Sequence, residues 1–146
     1  MLVTDVAGRL EAQIAALNNR VQGAAEMSEL IRKNALPSSP KSAFVLPAGL
    51  TPRGEGDAAA GAFTQMLDEV ISVVLVLPSS GDVTGRKALD PVDELVDQVI
   101  AAIAGWSPSN AIGVFRLSRG SLVSLTNGRI LYQLDFSIQD QIRNLS

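Results

Sequence analysis

The feature that most constrains the fold is a nearly continuous apolar run within residues 68–77, DEVISVVLVL. Seven of these ten residues are Val, Ile or Leu, and the run is far too short to span a membrane. A short run rich in β-branched residues is typical of a strand buried on both faces. The sequence therefore predicts a central strand here, around which the core is built.

A helix follows this strand and supplies its first packing partner. Residues 90–106 carry a stripe of apolar side chains at helical spacing: Val92, Leu95, Val96, Val99, Ile100 and Ile103. Asp90 is placed to cap the helix, with Pro91 at its first position, and Gly105 is placed to end it. One strand and one amphipathic helix thus define the predicted core.

The remaining segments extend this pattern to a fold class. Thr4 and Asp5 precede an apolar stripe that predicts a first helix, which ends before Gly23. The other expected elements are a helix at 24–34, a short strand at 43–46 that Pro47 closes, and strands at 112–117, 121–125 and 129–138, with an Asn127-Gly128 turn before the last. The order predicts an α+β fold, a mostly antiparallel sheet with helices packed on one face.

Two glycine-rich segments interrupt these elements. Residues 48–61, AGLTPRGEGDAAAG, contain four glycines and no periodicity, and residues 78–87, PSSGDVTGRK, are similar in character. Both are predicted to be flexible loops. A loop as long as the first is uncommon within a domain and is more often functional than idle. At 146 residues, the chain is expected to form a single domain, 1–146, that carries these two loops.

Composition argues against most kinds of catalysis. The chain has no cysteine and no histidine, which removes thiolate chemistry, zinc–sulfur sites and the usual general base. Asp68 and Glu69 are adjacent, so in a strand they face opposite sides. Residues 81–87 lack the order of a phosphate-binding P-loop. No catalytic, cofactor-binding or metal-binding residue is predicted, and the chain is not expected to be an enzyme.

Net charge and hydropathy restrict the possible binding partners less than composition restricts catalysis. The net charge of −3 gives no global reason for nucleic-acid binding. Arg116, Arg119 and Arg129 fall on or beside neighbouring predicted strands, where they form either a positive edge for a partner or a solvated face. The sequence shows neither a membrane-spanning run nor a signal peptide, so a soluble protein made and used in the cytoplasm is expected.

A series of motifs, in order and at compatible spacings, resembles a known family. It comprises Ala43-Phe-Val-Leu-Pro-Ala-Gly49, Gln65 leading into Val70-Ile-Ser-Val-Val-Leu-Val76, Ala88-Leu-Asp-Pro-Val-Asp-Glu-Leu95, Gly105-Trp-Ser-Pro108, Gly128 and Tyr132-Gln-Leu-Asp-Phe136. Together these residues resemble the tail terminator-like (tail completion) proteins of tailed bacteriophages, of the lambda type. The resemblance covers about residues 1–140.

This resemblance implies a structural protein of the virion, located at the tail–neck junction and assembled in the host bacterial cytoplasm. It implies a homo-oligomeric ring, commonly of six subunits, that caps the tail tube, ends its polymerisation and offers a joining surface to the head. The implied partners are the tail tube protein and a head-completion or stopper protein. DNA would pass through the lumen without sequence-specific binding, and no membrane or cofactor is involved.

Candidate contacts with the tube or a neighbouring subunit lie in the two predicted loops. They are the charged residues Arg53, Glu55, Asp57, Asp82, Arg86 and Lys87. An acidic lumen, supplied by Asp57, Asp82 or the acidic start of the main helix, would ease the passage of DNA by repulsion. The alternative function is another neck component of a tailed phage, a stopper or an adaptor, which the same fold would serve.

Overall fold

Three helices and five strands make up the part of the chain that the computed structural model describes, residues 2–37, 40–59, 61–78, 86–108, 111–126 and 128–145. The elements in chain order are α1 (Leu2–Gln13), β1 (Val21–Gln22), α2 (Ala24–Arg32), β2 (Ser42–Ala59), β3 (Ala62–Pro78), α3 (Arg86–Ile103), β4 (Arg116–Thr126) and β5 (Arg129–Leu145). A short 3₁₀ turn, Ala15–Leu17, follows α1.

The strands form one sheet in the order β1-β2-β3-β5-β4. All neighbouring strands are antiparallel except β1, which pairs with β2 in parallel through two residues. Thr126 pairs with Arg129, so a two-residue connection joins β4 to β5, and Gly128 has the positive φ (74°) that such a turn requires. The predicted α+β class with a mostly antiparallel sheet is confirmed.

The core strand is buried on both faces, as the apolar run predicts. On β3, Ile71, Val73, Leu75 and Leu77 belong to the larger core cluster with the buried residues of α1 and α3. Val74 and Val76 point to the opposite face, where they pack with Phe44 under α2. The two long helices therefore cover one face, as predicted. The short α2 lies against the other face, because β2 and β3 present apolar side chains there too.

The helices follow their predicted apolar stripes, with one difference in bounds. Val6 and Leu10 of α1 are fully buried, and the predicted stripe of α3 supplies Val92, Leu95, Val99 and Ile103 to the core. Gly105, with φ of +82°, ends α3 as expected. However, α3 begins at Arg86 instead of after Asp90, so Pro91 lies inside the helix, where it lacks the N–H of a normal helical residue.

The largest departure from the sequence prediction is the length of the strands. Residues 48–59 were expected to form a flexible loop but continue β2, and residues 139–145 continue β5 beyond its predicted end. The strands predicted at 112–117 and 121–125 are replaced by the single strand β4, with register shifts after Leu117 and Leu122. Of the second predicted loop, residues 79–85 lie outside the described residues, and Arg86 and Lys87 belong to α3.

Within the described ranges, no helix is both long enough and apolar enough to cross a membrane.

Candidate functional site: the sheet arm and the edge strand

Three strands extend past the helices as a β-sheet extension, here called the arm: residues 48–59 of β2, 62–70 of β3 and 138–145 of β5. β3 pairs residue by residue with β2 on one side and β5 on the other throughout this region, apart from the bulges in β2. Every residue of the β2 portion is exposed. At about 3.3 Å per residue, the nine residues of β3 give the arm a length of about 30 Å.

Glycines allow the β2 portion of the arm to pair despite its low strand propensity. The register slips between Arg53 and Asp57, which places the extra residues in a bulge. Gly54 and Gly56, within this bulge, have φ of +79° and +86°. A Cβ on Gly56 would lie 2.7 Å from Cζ of Phe63 and 2.8 Å from the carbonyl oxygen of Thr64. Gly56 therefore permits both the backbone turn and the close approach of the Phe63 ring.

The two faces of the arm differ in polarity. The register continues the α1/α3 side of the sheet onto one arm face, which we call the apolar arm face; it carries Leu50, Pro52, Phe63, Leu67, Ile138 and Ile142. Leu67 and Ile138 are buried at its root, whereas Leu50 is 62% exposed and Ile142 36% exposed. Beyond Leu67, Gln65 and Asn144 lie on this face beside Phe63 and Ile142, so its outer part is mixed in polarity and partly open to solvent.

Two carboxylates interrupt the apolar arm face. Glu69 and Asp140 lie diagonally across the β3–β5 pair, since Glu69 pairs with Ile138 and Asp140 with Leu67. Partial burial, together with the neighbouring charge of Asp140, raises the pKa of Glu69 above its usual range. Ionising Glu69 therefore costs more free energy in the folded chain than in the unfolded chain.

On the opposite face, an ion cluster ties the arm to the rest of the sheet. The Asp68 carboxylate accepts a hydrogen bond from Arg53 Nε at 2.9 Å and another from Arg116 Nη2 at 3.2 Å, both on Oδ2. The three residues belong to β2, β3 and β4, so one carboxylate links strands that span the sheet. Its side chain is 14% exposed, and Oδ1 is buried without a hydrogen-bond partner among the described residues.

The edge strand β4 exposes a row of large apolar side chains. Leu117, Leu122 and Leu125 pair with residues of the α1/α3 side, yet each is 41% exposed or more. Val123, at a register shift, is 54% exposed. We call Leu117, Leu122, Val123 and Leu125 the β4 row. The strand contains two arginines and no acidic residue.

The structure separates the three arginines that the sequence grouped as an edge. Arg116 is engaged by Asp68, while Arg119 is exposed on β4. Arg129 is partly buried, and its Nε has no hydrogen-bond partner among the described residues. Of the positive edge predicted as one alternative, only Arg119 is exposed without an ion pair among the described residues.

The predicted contact residues are only partly brought together. Arg53, Glu55 and Asp57 all lie on the β2 portion of the arm, while Arg86 and Lys87 belong to the first turn of α3 and Asp82 lies outside the described residues.

Sequence reasoning missed the apolar arm face and the β4 row. Bulges in the β2 portion of the arm and in β4 break the alternation that signals a half-buried strand. Among the described residues, no three potential ligands converge as a metal site.

The Gly105–Pro108 motif is explained by packing at the joint between α1, α3 and the approach to β4. The Arg9 guanidinium lies 5.2 Å from the centre of the Trp106 ring, and its Nε donates to the Ala102 carbonyl at 3.0 Å. The Trp106 and Phe115 rings stack at 6.0 Å, and two backbone hydrogen bonds join Gly105 and Trp106 to Phe115. This motif therefore has a structural role.

Comparison with known families identifies the chain. The family model described as "Phage tail terminator protein" matches residues 1–145. The chain belongs to the phage tail terminator family. This confirms the resemblance found in the sequence motifs, and it identifies the chain as a phage structural tail protein.

A solved structure has a similar fold. A chain of the "Virion of native gene transfer agent (GTA) particle" superposes with a TM-score of 0.50 at 17% identity, covering 94% of this chain and 92% of that one. At this level of identity, the likeness is one of fold. No curated protein matches the chain.

Proposed function

We propose that this chain forms a ring, of six subunits, that caps the tail tube, ends its polymerisation and presents the surface to which the head is joined. The observation that carries this proposal is the match of the tail terminator family to residues 1–145. In this role, the protein works by binding alone, without catalysis or cofactor. Its partners are the tail tube protein and a head-completion or stopper protein at the tail–neck junction of the virion.

The arm is the part of the chain best shaped to reach a partner. It extends about 30 Å of paired strand, and its β2 portion is exposed throughout. Arg53, Glu55 and Asp57 on this portion are proposed contact residues, as are Arg86 and Lys87 in the first turn of α3 and Asp82, which lies outside the described residues. A sheet extension is already ordered, so binding through it avoids the ordering cost that a flexible loop would pay.

The assembly role is tested by deleting the gene from its phage and scoring tail length and head attachment by electron microscopy. A terminator predicts tails of uncontrolled or excessive length that are not joined to heads. Tails of normal length beside full, unjoined heads would instead show a stopper or adaptor of the neck. Rescue of normal tails by the wild-type gene supplied in trans is the control.

A shortened arm tests where the function lies. Arg53 pairs with Met66, and Met66 pairs with Gln141, so these residues mark one level across the arm. Replacing residues 54–65 by an Asn-Gly turn and ending the chain after Gln141 removes the outer arm at that level. We expect a folded protein that fails to restore tail length. Full rescue by this variant would exclude the outer arm as a contact.

A further inference from the structure

One line of paired residues across the sheet marks the root of the arm. Gly49 pairs with Val70, Val70 with Ser137, and Ser137 with Arg116. The register of β2 shifts between Pro47 and Gly49, and such a bulge bends its strand. β4 pairs no further along β5 than Ser137, so the sheet narrows to three paired strands beyond this line. The root is therefore the level at which the sheet bends most easily.

One ion pair crosses this root. Arg116 lies on β4, outside the arm, and its Nη2 donates to Asp68 Oδ2 at 3.2 Å. Asp68 lies on β3 inside the arm, two residues beyond the root line. The bond from Arg53, 2.9 Å long and on the same oxygen, joins β2 to β3 and stays within the arm. Of the two arginines that share this carboxylate, only Arg116 ties the arm to the core half of the sheet.

The core end of this tie is held in place by the backbone next to it. Phe115, the residue before Arg116, is buried. Its carbonyl oxygen accepts a hydrogen bond from the Gly105 N–H at 2.7 Å, and its own N–H donates to the Trp106 carbonyl at 2.9 Å. These bonds join the start of β4 to the residues that follow α3. A movement of the arm therefore moves Asp68 relative to Arg116.

We propose that the Arg116–Asp68 ion pair is a strap that sets the angle between the arm and the core half of the sheet. The pair lies on the sheet face opposite to α1 and α3. A bond on one face of a sheet resists bending toward the other face, because such a bend separates the two groups that the bond joins. The strap therefore opposes bending of the arm toward α1 and α3, and its release adds bent arms in that direction only.

The strap is weak enough to open in the folded protein, and the length of the arm enlarges its effect. The Arg116 side chain is 53% exposed, and an ion pair of this exposure shifts an equilibrium by up to about fivefold. Because the arm is about 30 Å long, a bend of about 10° at the root moves its end by about 5 Å. One half-exposed ion pair thus controls where the end of the arm lies.

Distances between pairs of spin labels test the strap, because the chain has no cysteine of its own. One label is attached through Asn144→Cys, an exposed position near the end of the arm. The second is attached through Thr4→Cys on α1 or Ser28→Cys on α2, exposed positions on opposite sides of the sheet. In Arg116→Gln, the arm end should move toward α1 and away from α2. The ratio of straight to bent arms should fall by up to about fivefold.

Arg53→Gln is the matched control. It removes a 43% exposed arginine from the same oxygen of Asp68, but the lost bond does not cross the root. Both label distances should stay as in the wild type. In about 1 M salt, the wild-type distances should move toward those of Arg116→Gln, which should not itself respond. Amide hydrogen exchange at residues 66–70 should be alike in both variants, because the arm stays paired.

Other outcomes overturn the strap. Wild-type distances in Arg116→Gln would show that strand pairing alone sets the angle of the arm. Equal shifts in both arginine variants would mean that Asp68 supports the arm from within. Distances to α1 and α2 that broaden together, with faster exchange at residues 66–70, would mean that the arm frays instead of bending. These measurements use the purified chain alone, so their outcome is independent of the capping role.

Discussion

The same three strands pass from a core half that packs under the helices to an arm that opens to solvent beyond its root. On β5, Phe136 is fully buried under the helices, whereas Ile142, six residues further along the same strand, is 36% exposed. Both halves pair continuously with β3. The core half is stabilised by packing and hydrogen bonding together, and the arm by hydrogen bonding with little packing. The arm can therefore offer its side chains to a partner without weakening the core.

The largest expected difference between the halves comes from truncating one apolar side chain in each. Phe136→Ala leaves a cavity in the larger core cluster and should reduce the free energy of unfolding by about 3–5 kcal/mol. Ile142→Ala removes a side chain that already contacts solvent and should cost less than about 1 kcal/mol. Urea unfolding followed by circular dichroism measures both. Equal losses would mean that the arm belongs to the cooperative core.

Glycine substitutions within the arm test what holds its bulge. Gly54 and Gly56 share a positive φ, but a Cβ on Gly54 meets nothing within 4 Å, whereas one on Gly56 meets Phe63 and Thr64. Gly54→Ala should therefore cost about 1–2 kcal/mol from backbone strain alone, and Gly56→Ala should cost more. Amide hydrogen exchange at residues 62–66 reports the local opening. Similar exchange in both variants would show that the Phe63 contact contributes nothing.

The ion cluster at the root of the arm should contribute less than either effect. Asp68→Asn removes the charge shared by Arg53 and Arg116, whose side chains are 43% and 53% exposed, so we expect a loss of about 1 kcal/mol. The loss should shrink in about 1 M salt, where exposed pairs are screened. Asp57→Asn, on the same arm, has no ion pair among the described residues and is the control. A loss that is independent of salt would indicate packing instead of charge.

The contrast between the two halves also explains what could be predicted from the sequence. The core half was found because residues 71–77 are apolar and β-branched, so local pattern and tertiary environment agree. The helix stripes of α1 and α3 were found for the same reason. The arm was missed because residues 48–59 are rich in glycine and small residues, whose strand state depends on pairing with β3 and not on their own propensity.

The candidate site was predicted only in part, for a related reason. Arg53, Glu55 and Asp57 were selected because they lie in a glycine-rich segment, and they do share one exposed strand. The partner of Arg53, however, is Asp68, fifteen residues away in sequence, and Arg116 is a further 48 from Asp68. Such a cluster depends on strand register, which a single sequence does not reveal when bulges interrupt its alternation.

The smallest expected effect is a difference in pH dependence between an acid on the arm and one on α2. Burial and Asp140 raise the pKa of Glu69 above the ordinary 4.5, so its contribution to stability is complete below that pH and is lost as the pH rises through the folded pKa. Glu29 is the opposite case. Hydrogen bonds from Arg32 and Lys33 lower its pKa, so its contribution is present above pH 4.5 and lost as the pH falls.

Conservative variants separate these two signs. Near neutral pH, Glu69→Gln should unfold at slightly higher urea concentration than the wild type, and Glu29→Gln at slightly lower, and both differences should vanish in acid. Asp140→Asn should bring the pKa of Glu69 only part of the way back, because burial is the larger cause of the shift. Urea midpoints across the acidic to neutral range measure these effects. A Glu69→Gln curve that runs parallel to the wild type at every pH would mean that this carboxylate is as well solvated on the arm as in the unfolded chain.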